Sequence, residues 1–482
     1  MINRVIKIFK DICSIPHGSN NEHKLVEYIE DFAKKNGLDF RKDEAGNAVV
    51  CKNLKKGKGS GLTVVLQAHL DMVCEKLPEI EHDFSTRGIE MYIEGDSIKA
   101  RGTTLGADNG IGVAMILACL ESDETADSRI AGLFTVAEEI GMIGAQNIDP
   151  ELISGDILIS LDFGGEGCFC VGCAGGSKIE AGVNAKFDKV LSPSTVYYFS
   201  LSGLKGGHSG LDIGDGRLNA IKTLAECIDR LLMEFPGDLD VCEFDCAGKG
   251  GVIPSNAGVF IACKDDRADA VKQTVKMYYD ELIAEKGGIE PGLKLSFEPS
   301  DRIFCEKYNT QVLGSVINAI KELAQGVISV DEDEPSIVET SQNIDLLQGD
   351  GNKVKLVVSQ RSLDADKLNE AIYSAKAVLG KYGFNITDEK RYSGWRMDQD
   401  SEIVHLFLNE YKKMYNCNVY KKVVHAGLEC GTLSDRLGIS NVIAFGATCS
   451  NVHTVNETAS VSSTERAFMF LMHMLEILAK DR

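Results

Sequence analysis

The sequence predicts an α/β protein whose mainly parallel sheet is interrupted by an inserted α+β segment. Three observations carry this reading. Short, near-continuous apolar runs recur at residues 62–67 (LTVVLQ), 133–137 (LFTVA), 157–161 (ILISL) and 441–445 (NVIAF). Runs of that length and composition are strands buried on both faces, the signature of a parallel sheet under helices. Helical stretches alternate with them, as βα units require. Finally, the texture changes near residue 186 and returns near 394.

The elements follow in order. Val5, Ile6, Phe9 and Ile12 lie near helical spacing with Arg4, Lys7 and Lys10 between them. This is an amphipathic first helix rather than a secretory leader. Residues 62–67 end a strand just before His69, residues 110–120 form a buried helix, and 133–137 and 157–161 form two more strands. A strand at 196–201 then leads through a glycine-rich turn (GLKGGHSG) into a long helix. On it Leu218, Ile221, Leu224, Ala225, Ile228, Leu231 and Leu232 share one face. Residues 354–358 followed by 364–379 repeat this strand–loop–helix order, a faint internal duplication. The expected organisation is 1–185 and 394–482 as one domain, with 186–393 inserted.

A chain of 482 residues suggests two or three domains, since single cores seldom exceed about 250–300 residues. Apolar residues at 44% and charged residues at 26% are those of a globular chain with ample core. The net charge of −21 argues against nucleic-acid binding. The longest basic stretch, 52–58, is short and interrupted and reads as a solvated turn; the acidic cluster 331–334 reads as a solvated loop. Fifteen scattered cysteines with no secretory signal before them point to free thiols in a cytoplasmic setting. The longest apolar run, 111–120, has ten residues, short of the roughly 18 that span a membrane.

Five motifs carry chemistry, each at or beside the end of a buried strand or helix. Ala68-His69-Leu70-Asp71-Met72 places a histidine and a carboxylate two residues apart, on one side of a strand, where the second orients the first. Residues 101–110 (RGTTLGADNG) precede the apolar helix, and Asp108 or Asn109 also reads as its cap. Glu138 and Glu139 follow a strand as adjacent carboxylates, which needs a cation or solvent to offset them. Asp162 ends another strand, and His453 lies beyond the strand at 441–445. In open α/β sheets ligands collect outside the carboxyl ends of the strands. Two histidines and five carboxylates aimed at one crevice suit Zn²⁺, and also Mn²⁺ or Co²⁺. Two divalent ions are offset by Asp108, Glu139, Asp162 and one hydroxide, leaving Glu138 to move protons. CFCVGC, with Cys168, Cys170 and Cys173, lacks a second cysteine pair and reads as small buried thiols on a strand. GKGG at 248–251 lacks the rest of a phosphate loop and reads as a turn.

Taken together, AHLDMV, GTTLGADNG, AEEIGMIGA, LDFGGEG, CAGG, GLKGGHSG, IPSNA, QRSLD, HAGLECG and NVHTVNE, in that order, resemble the aminoacylhistidine dipeptidases. These are the cytosolic branch of the carnosinase-like two-zinc peptidases, and the resemblance runs nearly end to end. It implies a peptidase catalytic domain with a lid at 186–393. It implies that His69, Asp108 and Asp162 bind one metal, that Asp108 bridges to a second held by Glu139 and His453, that Asp71 orients His69, and that Glu138 is the general base. It implies that His208, Asn256 and Arg361 act from the lid, and that Glu429 sits near the substrate's amino end. The loop after Asp162 (FGGEG) is richer in glycine than is usual in that family.

The reading that results is hydrolysis of dipeptides with free termini, Xaa-His among them, by a bridging hydroxide activated by two metals and Glu138. Arg361 offers a planar fork to the substrate carboxylate, and closure of the lid brings it and His208 to the metals. The expected partner is a small peptide, with no nucleic acid and no membrane, and a homodimer is allowed. A deacylase or tripeptidase on the same scaffold, and a metal-dependent binding protein without catalysis, stay open as alternatives.

Overall fold

The computed structural model describes residues 2–52, 61–125, 129–190, 194–246, 248, 250–349, 351–396, 398 and 401–480. Most of the basic stretch at 52–58, and Lys249 of GKGG, therefore lie outside the described residues. The chain forms two compact units. Unit 1 is Met1–Cys173, Trp395–Val424 and Leu428–Arg482; unit 2 is Ala174–Gly394 and His425–Gly427.

Unit 1 is built on an eight-stranded sheet. Its strands are β1 (Asp39–Lys42), β2 (Ala48–Lys52), β3 (Thr63–His69), β4 (Arg129–Thr135), β5 (Ile157–Ser160), β6 (Cys168–Cys173), β7 (Tyr420–Val424) and β8 (Asn441–Ala444). The spatial order is β1-β2-β4-β3-β5-β8-β6-β7. The run β4-β3-β5-β8 is parallel throughout, while β1 and β2 add on antiparallel at one edge. The central strands read as continuous apolar runs because both faces are covered: Val64, Val65 and Leu66 are consecutive and all buried.

Six helices matter for the site. Helix α1 (Ile2–Cys13) buries Val5, Ile8, Phe9, Ile12 and Cys13 on one stripe. Helix α2 (His23–Asn36) stops at Gly37, whose φ of 65° lets its N–H return to the Ala33 and Lys34 carbonyls. Helix α3 (Ala107–Glu121) is buried at every position from Asn109 to Leu120, the pattern of a helix enclosed on all sides. Helices α4 (Glu402–Tyr415), α5 (Glu429–Leu437) and α6 (Val461–Ala479) also belong to this unit. A knot of Phe169, Phe407, Tyr411, Phe445 and Phe470, mostly edge to face, joins α4, α6 and the sheet. A second, four-stranded sheet pairs Cys449–Ser450 with Thr458–Ser460, then Ser97–Ala100 and Met91–Glu94. His453 lies in the loop between the first two of these strands.

Unit 2 is a nine-stranded sheet with every pairing antiparallel. Helices Ala220–Glu234, Ala268–Lys286, Thr310–Glu322 and Ala365–Lys381 share one apolar core with it. The repeated strand–loop–helix order is visible: Ser194–Ser202 precedes the first of these helices, and Lys353–Ser362 precedes the last. The unit begins at Ala174 rather than near 186, because Gly175–Asn184 pairs along its whole length with Lys353–Ser362. Residues 332–334 are exposed and Asp331 is half-buried, as in a solvated loop. Among the described residues no helix is long and apolar enough to cross a membrane.

Candidate metal centre

The carboxyl ends of β3, β4, β5 and β8 open onto one crevice, and each delivers a histidine or carboxylate side chain able to bind a metal, or the loop that carries one. His69 is the last residue of β3. Its Nε2 lies 3.1 Å from Asp108 Oδ1 and 3.7 Å from Asp162 Oδ1. The other oxygen of Asp108 faces a second histidine: His453 Nε2 is 3.4 Å from Asp108 Oδ2 and 3.0 Å from Glu139 Oε1. Asp108 thus presents one oxygen to each of two groups. In each, the potential ligand atoms lie within 4.8 Å of one another; so do those of a third combination, His69, Glu138 and Glu139.

Local structure puts these groups in place. Asp108 does not cap α3. The N-cap is Gly106, in the left-handed region at φ 69°, with no side-chain cap bond, and Asp108 itself departs from helical angles (φ −86°, ψ 103°). Asp71 also differs from expectation. β3 ends at His69, so strand alternation does not align Asp71 with it; His69 Nδ1 faces the Asp71 backbone carbonyl at 3.0 Å, with the carboxylate at 3.5 Å. The Asp71 carboxylate accepts the N–H groups of Glu138 and Glu139 at 2.9 and 3.1 Å and the Ser19 hydroxyl at 2.7 Å. It therefore holds the tandem glutamates in register as well as lying beside the histidine.

The electrostatics are those of a crowded anionic crevice. Burial works against a charged His69, but Asp162, Asp108 and Asp71 outweigh it and hold the ring well above an ordinary histidine. Hydrogen bonds to Asp108 and Glu139 push His453 up to about 10. Burial also works against Asp108, yet His453 and His69 keep it far below the usual carboxylate range. Burial raises Asp162 well above that range, with Asp108 adding to the effect against His69. Burial pushes Glu138 up to about 8, with Asp162 and Glu139 adding against His69. The donor set of imidazole and carboxylate, converging on two short-range groups, fits divalent metal ions.

Glu429, first residue of α5, is buried at the base of this crevice. Its Oε2 accepts from Gln67 Nε2 at 2.8 Å and from the Thr135 hydroxyl at 2.5 Å, while Oε1 is buried without a partner among the described residues. Burial, with Glu138 adding, pushes this carboxyl up to about 8. Gln67 and Thr135 escaped the sequence reading. Both sit inside β-strands on apolar runs, and a polar residue on such a run is the one local signal that marked them. Glu22 escaped too; its Oε1 accepts the Ala137 N–H at 2.9 Å, ahead of the tandem glutamates.

Unit 2 brings His208 and Arg361 together around Gly210. A Cβ on that glycine would lie 3.1 Å from both Arg361 Nε and His208 Cε1 and 2.1 Å from the His425 carbonyl, so only glycine fits. His208 Nδ1 accepts the N–H groups of Gly210 and Leu211 at 3.1 and 3.0 Å, which leaves Nε2–H as its donor. Burial, with Arg361 adding, lowers its pKa. Arg361 donates to the Tyr392 hydroxyl and, at 3.3 Å, to Ser209 Oγ; its Nε is buried with no partner among the described residues. Asn256 is exposed and bonds Gly203 N–H and Ser255 Oγ. Cys168, Cys170 and Cys173 lie on β6 as free thiols, the last two buried.

A sheet-end crevice with two histidine–carboxylate groups sharing one aspartate is an arrangement suited to metal-dependent hydrolysis. The sequence matches Peptidase family M20/M25/M40 over residues 65–477, and the chain belongs to that family. Among its relatives is the cytosol non-specific dipeptidase of Escherichia coli (strain K12), 34% identical over 477 residues covering 98% of this chain and 97% of the relative. The crystal structure of aminoacylhistidine dipeptidase from Vibrio alginolyticus matches with a TM-score of 0.87 and 32% identity, covering 99% of this chain and 97% of the other. A tripeptidase from Staphylococcus aureus shares the fold, with a TM-score of 0.60 and 17% identity over 99% of each chain. The protein is thus a peptidase, and its family implies divalent metal.

Proposed function

We propose that this protein is a cytoplasmic dipeptidase that uses two divalent ions and acts on dipeptides with free amino and carboxyl ends, Xaa-His dipeptides among them. The observation that carries the proposal is the sharing of Asp108: each of its oxygens faces a histidine that has a further carboxylate beside it. In this reading His69, Asp108 and Asp162 hold one ion and Asp108, Glu139 and His453 the other, Zn²⁺ first, with Mn²⁺ or Co²⁺ also accepted. When bound, the ions lower the pKa of water and polarise the peptide carbonyl.

The chain's own residues do the rest. Glu138 belongs to neither of these two ligand groups, and it lies beside His69 and Glu139. It takes the proton of the attacking water and passes it to the leaving amine. Asp71 orients His69 and keeps Glu138 and Glu139 in place. His208 offers Nε2–H to the carbonyl oxygen, and Arg361 offers its unpartnered Nε and remaining fork to the substrate carboxylate. The free Oε1 of Glu429 is the acceptor for the substrate's ammonium group, and Asn256 lines the substrate. Two termini held by charge account for a preference for dipeptides. A small peptide is the partner, and a homodimer is the assembly to be read by sedimentation.

The test is a substrate panel on the Zn²⁺-loaded protein: free dipeptides with and without histidine second, N-acylated dipeptides, dipeptide amides and tripeptides. Free dipeptides should lead. Loss of either charged terminus should lower kcat/KM about tenfold to a hundredfold, the effect of one charged hydrogen bond of about 1.5–3 kcal/mol. Preference for N-acylated substrates would make the protein a deacylase, and equal handling of tripeptides a tripeptidase. Metal binding with no cleavage of any member would leave a binding protein.

A further inference from the structure

Four backbone N–H groups converge where the chain enters α3, just ahead of the residue that faces both histidines. One carboxylate takes all four. Glu457 Oε2 accepts from Leu105 and Gly106 at 2.7 and 3.0 Å, and Oε1 accepts from Ala107 at 2.8 Å and Asp108 at 3.3 Å. The side chain comes from about 350 residues away in sequence and is only 4% exposed. The carboxylate is seated in the successive N–H groups of the turn that leads into α3, whose backbone leaves helical angles at Asp108 and Asn109, and it satisfies donors that would otherwise be buried unpaired.

The turn it grips has little room to move. A Cβ on Gly106 would meet Met72 Sδ at 2.8 Å and His17 Nε2 at 3.3 Å, and Leu105 is fully buried with its carbonyl against Cys13 Sγ. The other end of the link is equally defined. The Glu457 N–H donates to the Thr454 carbonyl at 3.1 Å, and the Thr454 hydroxyl donates to the Asn451 carbonyl at 2.7 Å. These bonds close the loop that carries His453, itself held in the left-handed region at φ 64°. Residues Thr458–Ser460 then pair with Ser97–Ala100, which anchors the loop's exit. Glu457 is thus a side-chain tie, beside the Asp108–His453 contact itself, between the segment bearing Asp108 and the segment bearing His453.

We propose that Glu457 is a positioning residue: it sets the Asp108 carboxylate between His69 and His453 before a metal ion arrives. The inference rests on the proposal that these residues hold metal, and it goes beyond that proposal by naming the group that builds the site in advance. Glutamine at this position keeps the size but turns an NH₂ toward N–H donors, so two of the four bonds are lost. Aspartate is a methylene too short to reach them.

The experiment compares wild type, Glu457→Gln and Ser460→Ala as full-length chains, stripped by chelation and titrated with Zn²⁺ alone against a chromophoric chelator. Ser460 caps α6 through the Ser463 N–H at 3.1 Å and does not touch the four N–H groups, so its loss lowers stability without disturbing Asp108. Glu457→Gln should weaken Zn²⁺ binding about tenfold to a hundredfold, the range for a group supporting a metal ligand. It should also shrink the rise in Tm that Zn²⁺ produces. Ser460→Ala should lower Tm equally with and without Zn²⁺ and leave affinity unchanged. Unchanged affinity in Glu457→Gln would overturn the proposal and leave Glu457 a purely structural cap. Should that variant not fold, hydrogen exchange on the chelated wild type decides: the amides of residues 105–108 should stay protected without metal. Rapid, loop-like exchange there would overturn the proposal. Neither readout depends on a substrate, so failure of the dipeptide panel with these results intact would reject the substrate reading alone.

Discussion

Replacing Glu138 by glutamine separates two roles that the geometry allows. Glu138 is proposed as the proton carrier, yet it also lies in a His69–Glu138–Glu139 group close enough to hold an ion. The substitution is isosteric, and the Glu138 N–H bond to Asp71 involves the backbone, so the segment should stay in place. If Glu138 only moves protons, both ions stay and kcat falls by about 10²–10⁴, a loss of about 2.7–5.4 kcal/mol in transition-state stabilisation. A second consequence follows from its titration. Burial lifts its pKa from 4.5 to about 8 in the folded protein, so between those values the folded state holds a proton that the unfolded chain has lost. For metal-free protein, that makes stability fall as pH rises through the window. Glutamine removes the effect. The metal-free variant should therefore match wild type near pH 5 and melt above it near pH 8. The assays are metal content by mass spectrometry, kcat on a free dipeptide, and calorimetry of chelated protein at both pH values. Loss of one ion per chain would make Glu138 a ligand. Retention of both ions with kcat reduced less than about tenfold would remove it as the base.

Three further predictions follow. Chelation should abolish activity and lower Tm, and Zn²⁺, Mn²⁺ or Co²⁺ should restore both, since a ligand at a thousand times its Kd stabilises the native state by about 4 kcal/mol; full activity with metal content shown to be nil would refute this. Arg361→Lys and Arg361→Ala should each cost about 1.5–3 kcal/mol in kcat/KM on free dipeptides and little more on dipeptide amides, with both ions retained; equal losses on acid and amide would mean that Arg361 acts through folding. Burial, with Arg361 adding, pushes His425 down to about 4, so its contribution to stability is complete above about pH 6.5 and is lost as pH falls toward 4; His425→Gln should flatten that part of the stability profile, and an unchanged profile by calorimetry would refute the assignment.

Much of the architecture was legible in the sequence because it is local. A short apolar run of five or six residues rich in β-branched side chains is best satisfied by a covered strand, and a run of ten by a buried helix, so β3, β5 and β8 could be read directly, as could the enclosed helix α3. The candidate ligands at the strand ends were legible for the same reason: carboxylates and histidines there are costly to bury unless they converge on something. The edge of unit 2 was less legible. Gly175–Asn184 resembles the strands before it in texture, and only its pairing with Lys353–Ser362 assigns it.

What the tertiary structure alone decided is how those side chains are aimed. Asp108 reads equally well as a helix cap or a ligand; in the fold it makes no cap bond, its backbone leaves helical angles, and its carboxylate lies between His69 and His453. Asp71 lies past the end of its strand, so its grip on the tandem glutamates could not follow from alternation. The bonds from Gln67 and Thr135 to Glu429 join residues 362 and 294 positions apart. Local periodicity records which face of an element is buried, because that free energy depends on near neighbours in the chain. It carries no record of which distant carboxylate meets which donor, since that depends on how the strands are ordered in space.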